Sequence, residues 1–154
     1  MKIDRFINEN RWFDSVILIV FILAFTGATY NHVMDLVSGG LFPYTKKWGT
    51  PESLNFYWTC LTILDPLAIA ALIINVRVGY VVALCIMLTD VPINLYANAN
   101  YWSLAFHKNY ALLMQVVFLI FLLLTFCRVW KLTVTVMEGP SDNAAAPDAK
   151  SRSV

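Results

Sequence analysis

Residues 54–97 read LNFYWTCLTILDPLAIAALIINVRVGYVVALCIMLTDVPINLYA. Only three of them are charged: Asp65, Arg77 and Asp90. Arg77 lies in the short turn from Asn75 to Gly79, with one apolar run on either side. A helix needs roughly 20 residues to cross about 30 Å of hydrocarbon, and each run reaches that length. A turn this short makes the two helices an antiparallel hairpin.

Two further runs lie outward of the hairpin. Ser15 to Met34 and Asn109 to Cys127 hold no Asp, Glu, Lys or Arg. The chain has 154 residues and is 59% hydrophobic, with a mean hydropathy of +0.64. Ordinary soluble domains are about 45–50% apolar. The fold class expected is all-α: a polytopic membrane protein with four transmembrane helices in an antiparallel bundle. The spans fall at about 15–36, 54–76, 78–97 and 109–130, within a transmembrane domain of residues 15–136. Residues 1–14 form a cytoplasmic lead, where Ile3, Phe6 and Ile7 have the spacing of a short interfacial helix. Residues 137–154 lack apolar periodicity and read as a disordered cytoplasmic tail. The first span follows a charged lead, exceeds the usual apolar length of a cleaved signal and is expected to stay as an anchor.

Four spans put both ends on one side. That side carries Lys2, Arg5, Arg11, Arg77, Arg128 and Lys131, against Lys46, Lys47 and Lys108 on the other. The positive-inside rule then places both termini in the cytoplasm. The membrane is the cell (inner) membrane in a bacterium and the endoplasmic reticulum in a eukaryote. Phe42, Tyr44 and Trp48 beside two lysines suggest a loop lying at the headgroup level, and Trp58, Tyr96, Tyr101 and Trp102 read as interfacial aromatics.

A net charge of +1 makes no case for nucleic acid. Cys60, Cys85 and Cys127 lie inside spans without C-x-x-C or Cys/His spacing, so they read as small core residues. No metal site and no cofactor is expected.

The polar residues within the spans are the functional clue. A carboxylate in hydrocarbon costs a few kcal/mol or more unless it is paired, hydrated or protonated. Asp35 lies 21 residues after Asp14, about 31 Å along a helix, at the outer interface. His32 and Asn31 share its face. Asp65 lies two turns beyond Trp58, near the midplane, and Asp90 lies from the midplane to the outer half with Asn94 one turn further out. Gln115 on the last span is at a similar depth. These groups should face one another around a polar pocket. Pro66 and Pro92 each sit beside an acid and free a carbonyl of the preceding turn, so kinks there are expected to open space at the same level.

Met34-Asp35-Leu36, the following Leu41-Phe42-Pro43-Tyr44, the second acid Asp65 and Thr89-Asp90-Val91-Pro92 resemble the EXPERA group of emopamil-binding sterol isomerases and sigma-two-type receptors. The resemblance implies a binder of sterol-like or cationic amphipathic ligands, with Asp35 and Asp65 beside the ligand. The first loop is shorter than in that group, and the histidine–glutamate pair of the isomerases has no counterpart.

The function expected is binding of a small lipophilic or amphipathic molecule in a pocket between the helices. The ligand-binding set is Asp65, Asp90, Asn94, Asp35, His32 and Gln115. An enzyme of this kind would be an acid/base isomerase on a lipophilic substrate, but binding without turnover is the leading reading. The alternatives are a proton- or cation-coupled transporter acting as a homo-oligomer, and a non-catalytic assembly or immunity-type subunit. The subunit reading would pair the acids with a membrane protein partner, docked on the Leu122-Leu123-Leu124 face. Membrane lipid is a partner in every reading.

Overall fold

The computed structural model of the chain describes residues 12–102 and 104–137. The interfacial lead helix and the disordered tail expected from the sequence lie outside the described residues. The described residues form helices joined by short links. In chain order these are α1 (Trp12–Gly39), α2 (Pro43–Trp48), α3 (Glu52–Ile74), α4 (Val76–Ala97) and α5 (Tyr110–Met137). A π-helical turn, Asn98–Trp102, extends α4, and a 3₁₀ turn, Phe106–Lys108, precedes α5. Helices α1, α3, α4 and α5 are long and apolar enough to cross a membrane, with window hydropathies of 1.8, 1.8, 1.8 and 2.5. α1 continues three residues beyond Leu36, and α5 runs to Met137 rather than ending near 130.

Local chemistry explains where the helices stop. Gly40 closes α1 with φ of 72°, a left-handed conformation that glycine adopts without a Cβ clash, and its N–H bonds the Leu36 carbonyl at 2.9 Å. Asn75 breaks α3 from α4 by turning extended, and its side-chain oxygen accepts the N–H of Arg77 at 3.1 Å. That caps the start of α4. The whole α3–α4 connection is this one residue. Asn109 caps α5 in the same way, accepting the N–H of Leu112 at 3.2 Å.

Packing follows chain order: α1 lies on α3, α3 on α4, and α4 on α5, while α1 and α5 also touch. Phe21, Leu61, Ala68, Leu72, Val76, Ala83 and Leu122 are fully or almost fully buried at these contacts. Between apolar helices in lipid, close backbone approach and interhelical hydrogen bonds hold the assembly together rather than exclusion of water. Gly79 provides one approach: a Cβ there would stand 2.2 Å from the backbone nitrogen of Leu72. Tyr80 provides one bond, donating to the Leu122 carbonyl at 2.7 Å and meeting the Thr125 hydroxyl. Asp14 at the start of α1 accepts from Arg128 Nε at 2.7 Å, pinning α1 to α5.

The outer faces stay apolar. Ile63, Leu67, Leu88, Val117 and Leu124 are among many large hydrophobic residues left exposed on all four long helices. Soluble monomers rarely expose apolar patches beyond a few hundred Å². Cys85 and Cys127 also lie on exposed faces, and only Cys60 is half-buried. This corrects the expectation that all three fill the core.

Candidate functional site

The two acids of the α3–α4 pair come together. Asp65 and Asp90 are 2% and 4% exposed, and both line one cavity of about 40 Å³ with His32, Gln115, Met87 and Phe118. Asp65 Oδ2 and Asp90 Oδ1 are buried without a hydrogen-bond partner. A buried carboxylate left in that state costs several kcal/mol unless a proton, a water or a cation joins it. The chamber has room for a water or an ammonium group, since a single water needs roughly 10–15 Å³ of such space.

His32 links this chamber to the next. Its Nε2 stands 3.8 Å from Asp65 Oδ2, too far for a direct hydrogen bond. Its Nδ1 is 2.9 Å from the Tyr44 hydroxyl, with the donor set by the tautomer. Asn94 crosses between helices: its Oδ1 accepts the Trp58 indole N–H at 2.8 Å and its Nδ2 donates to Gln115 Oε1 at 3.0 Å. The Trp58 indole thus bonds Asn94 and not an acid of the chamber. Asn94 also lies beside the Asp90 carboxyl.

A second cavity of about 170 Å³ lies above the first and shares Ala28, His32 and Gln115 with it. Asn31, Asp35, Asn94 and Asn109 line this vestibule. Asp35, Tyr44 and Trp48 in turn line an open groove of about 420 Å³ at the end of α1. The predicted residues therefore occupy successive levels. Asp65 and Asp90 lie at the bottom, His32 and Gln115 between the chambers, Asn94 beside the vestibule and Asp35 at its mouth.

The vestibule wall was not foreseen. Four rings close a cycle: Tyr44 to Trp48 at 6.0 Å, Trp48 to Trp102 at 5.4 Å, Trp102 to Trp58 at 5.7 Å and Trp58 back to Tyr44 at 4.8 Å. Separations of this size suit aromatic pairs. All four rings line the vestibule, and the Trp102 indole N–H is buried without a partner. The sequence read these residues as aromatics at the headgroup level. Their common level was the available signal, but nothing local turned them inward. Asn55 supplies that turn. Its Oδ1 accepts the Tyr44 N–H at 3.2 Å and its Nδ2 donates to the Leu41 carbonyl at 2.8 Å, which fastens α2 over the start of α3. Tyr44 is consequently only 6% exposed. Burial, then the charge of Asp35, pushes its hydroxyl well above the ordinary tyrosine range.

Neither Pro66 nor Pro92 lines the chamber, the vestibule or the groove. Pro66 and Pro92 stay inside continuous helices and lie on exposed faces. The chamber is bordered instead by small side chains such as Ala24 and Ala28 of α1.

No protein-family model matches the chain, and no curated protein or solved structure matches it. The resemblance to the EXPERA group rests on the residues quoted for it alone.

Proposed function

We propose that this protein is a multi-pass membrane protein that binds a small amphipathic cation. Its four spans form an antiparallel bundle with both ends in the cytoplasm. The ligand's ammonium head enters the chamber between Asp65 and Asp90, and its stem lies in the vestibule between the aromatic rings. The observation that carries this reading is the pair of buried, unpartnered carboxylate oxygens facing one small cavity below a four-ring wall. Charge and size both favour it. Two acids and His32 are a poor floor for a neutral lipophile, whereas an ammonium can donate to each orphaned oxygen. The vestibule and chamber measure about 170 and 40 Å³, below the roughly 300–1,000 Å³ of a drug-sized pocket. A rigid polycycle such as a sterol exceeds that space, while a narrow head with its tail in lipid fits.

The test uses protein in lipid nanodiscs and reads tryptophan fluorescence, because three indoles line the vestibule. A primary alkylammonium is expected to bind, and the alcohol of equal chain length is not. Asp65→Asn and Asp90→Asn are expected to weaken the amine by about a hundredfold, the scale of losing a buried charge partner, with helix content retained. Equal binding of the alcohol, or unchanged affinity in both well-folded variants, would sink the proposal.

A further inference from the structure

We infer that the open groove at the end of α1 seats the phosphoethanolamine headgroup of a membrane phospholipid. The site is distinct from the inner chamber and does not rest on the amine reading. The groove measures about 420 Å³ and is lined by Asp35 and Ser38 on one side and Lys46 and Lys47 on the other. Charges of both signs thus face one concavity, yet among the described residues Asp35 forms no ion pair with either lysine. Lys46 Nζ donates to the Gly39 carbonyl at 3.0 Å, and Lys47 Nζ stands 4.3 Å from the Trp48 ring centroid. An ammonium has three donors, so both lysines keep N–H groups for a phosphate. Asp35 lies against the Tyr44 hydroxyl, and a carboxylate has about four lone-pair sites, so it keeps acceptor positions for a cation.

The groove's place in the fold identifies the source of that zwitterion. The apolar span of α1 ends at Gly39 and that of α3 begins at Glu52, so the groove sits on the rim where headgroups lie. Val37 and Leu41 beside it are 74% and 75% exposed, a surface suited to acyl chains. A phosphate and a primary ammonium joined by a short link can meet the lysines and Asp35 together. A choline group has no N–H to give Asp35, and an anionic headgroup leaves Asp35 without a cation.

Native mass spectrometry of the detergent-purified chain decides it. Short-chain phosphatidylethanolamine is compared with phosphatidylcholine and phosphatidylglycerol of the same chains, and with free phosphoethanolamine. Phosphatidylethanolamine is expected to bind at least about tenfold more tightly than the others, the worth of one charge-assisted hydrogen bond. The exposed double variant Lys46→Gln/Lys47→Gln is expected to lose that binding. Asp35→Asn is expected to lose the preference over phosphatidylglycerol, while Asp65→Asn keeps full lipid binding. Equal binding of the three lipids, or a preference intact in the lysine variant, overturns the inference. Free phosphoethanolamine binding as tightly as the lipid also overturns it, by assigning the groove to a soluble solute.

Discussion

Tyr44 shows how much one residue can join. Its ring closes the aromatic cycle, its hydroxyl meets His32, and its backbone N–H is held by Asn55. Burial and the Asp35 charge raise its pKa above the ordinary value of about 10. The sign of the pH effect follows. The folded state holds the phenolic proton more tightly than the unfolded state does. This contribution to stability is fully present below the unfolded pKa and declines as pH rises above it. Melting temperature is therefore expected to fall above about pH 10, and Tyr44→Phe is expected to remove part of that fall. An identical alkaline profile in the variant would contradict the assignment.

The α3–α4 hairpin is the element on which the acid pair depends. Its turn was legible because Arg77 and Asn75 interrupt two apolar runs, and Asn75 does cap the second helix. The closeness of the two helices was not legible in the same way. It rests on Gly79 against Leu72, where no Cβ fits and the obstacle is backbone that cannot swing aside. Gly79→Ala is expected to cost about 3 kcal/mol or more, the upper range for overpacking a well-packed contact. Gly27 is the control. It lies in α1 with nothing within 4 Å of a built Cβ, and Gly27→Ala is expected to be neutral or to stabilise by up to about 1 kcal/mol through helix propensity. Thermal unfolding in one detergent compares the two variants, and a similar small effect from both would refute the packing argument.

At the scale of the whole molecule, the basic residues Arg77 and Arg128 gather where α4 begins and α5 nears its end, with Asp14 bound to Arg128. Lys46 and Lys47 lie at the opposite ends of the long helices. With the positive-inside rule, a fluorescent protein fused to the C-terminus is expected to mature in the cytoplasm. A cysteine introduced at Lys47 is expected to react with an impermeant reagent from the other side. Reaction from the cytoplasmic side would invert the proposed orientation.

Length and charge are local, additive properties. The sequence by itself therefore determined four helices long and apolar enough to span a membrane, the hairpin turn, and the level of each polar residue along its helix. The rotation of each helix about its own axis is a different kind of quantity. A soluble helix is turned by its one apolar face, but these helices are apolar nearly all round, and lipid accepts any face. The cost of a carboxylate in lipid already pointed Asp65 and Asp90 toward a shared pocket, but only tertiary contacts gave that chamber its other walls and left Pro66 and Pro92 outside it. The same contacts folded α2 back so that Tyr44, Trp48, Trp58 and Trp102 meet as one wall. Gly79 against Leu72, the Asn55 clasp on α2 and the Trp58–Asn94–Gln115 bridge set those rotations, and each joins residues distant in the chain or on different helices.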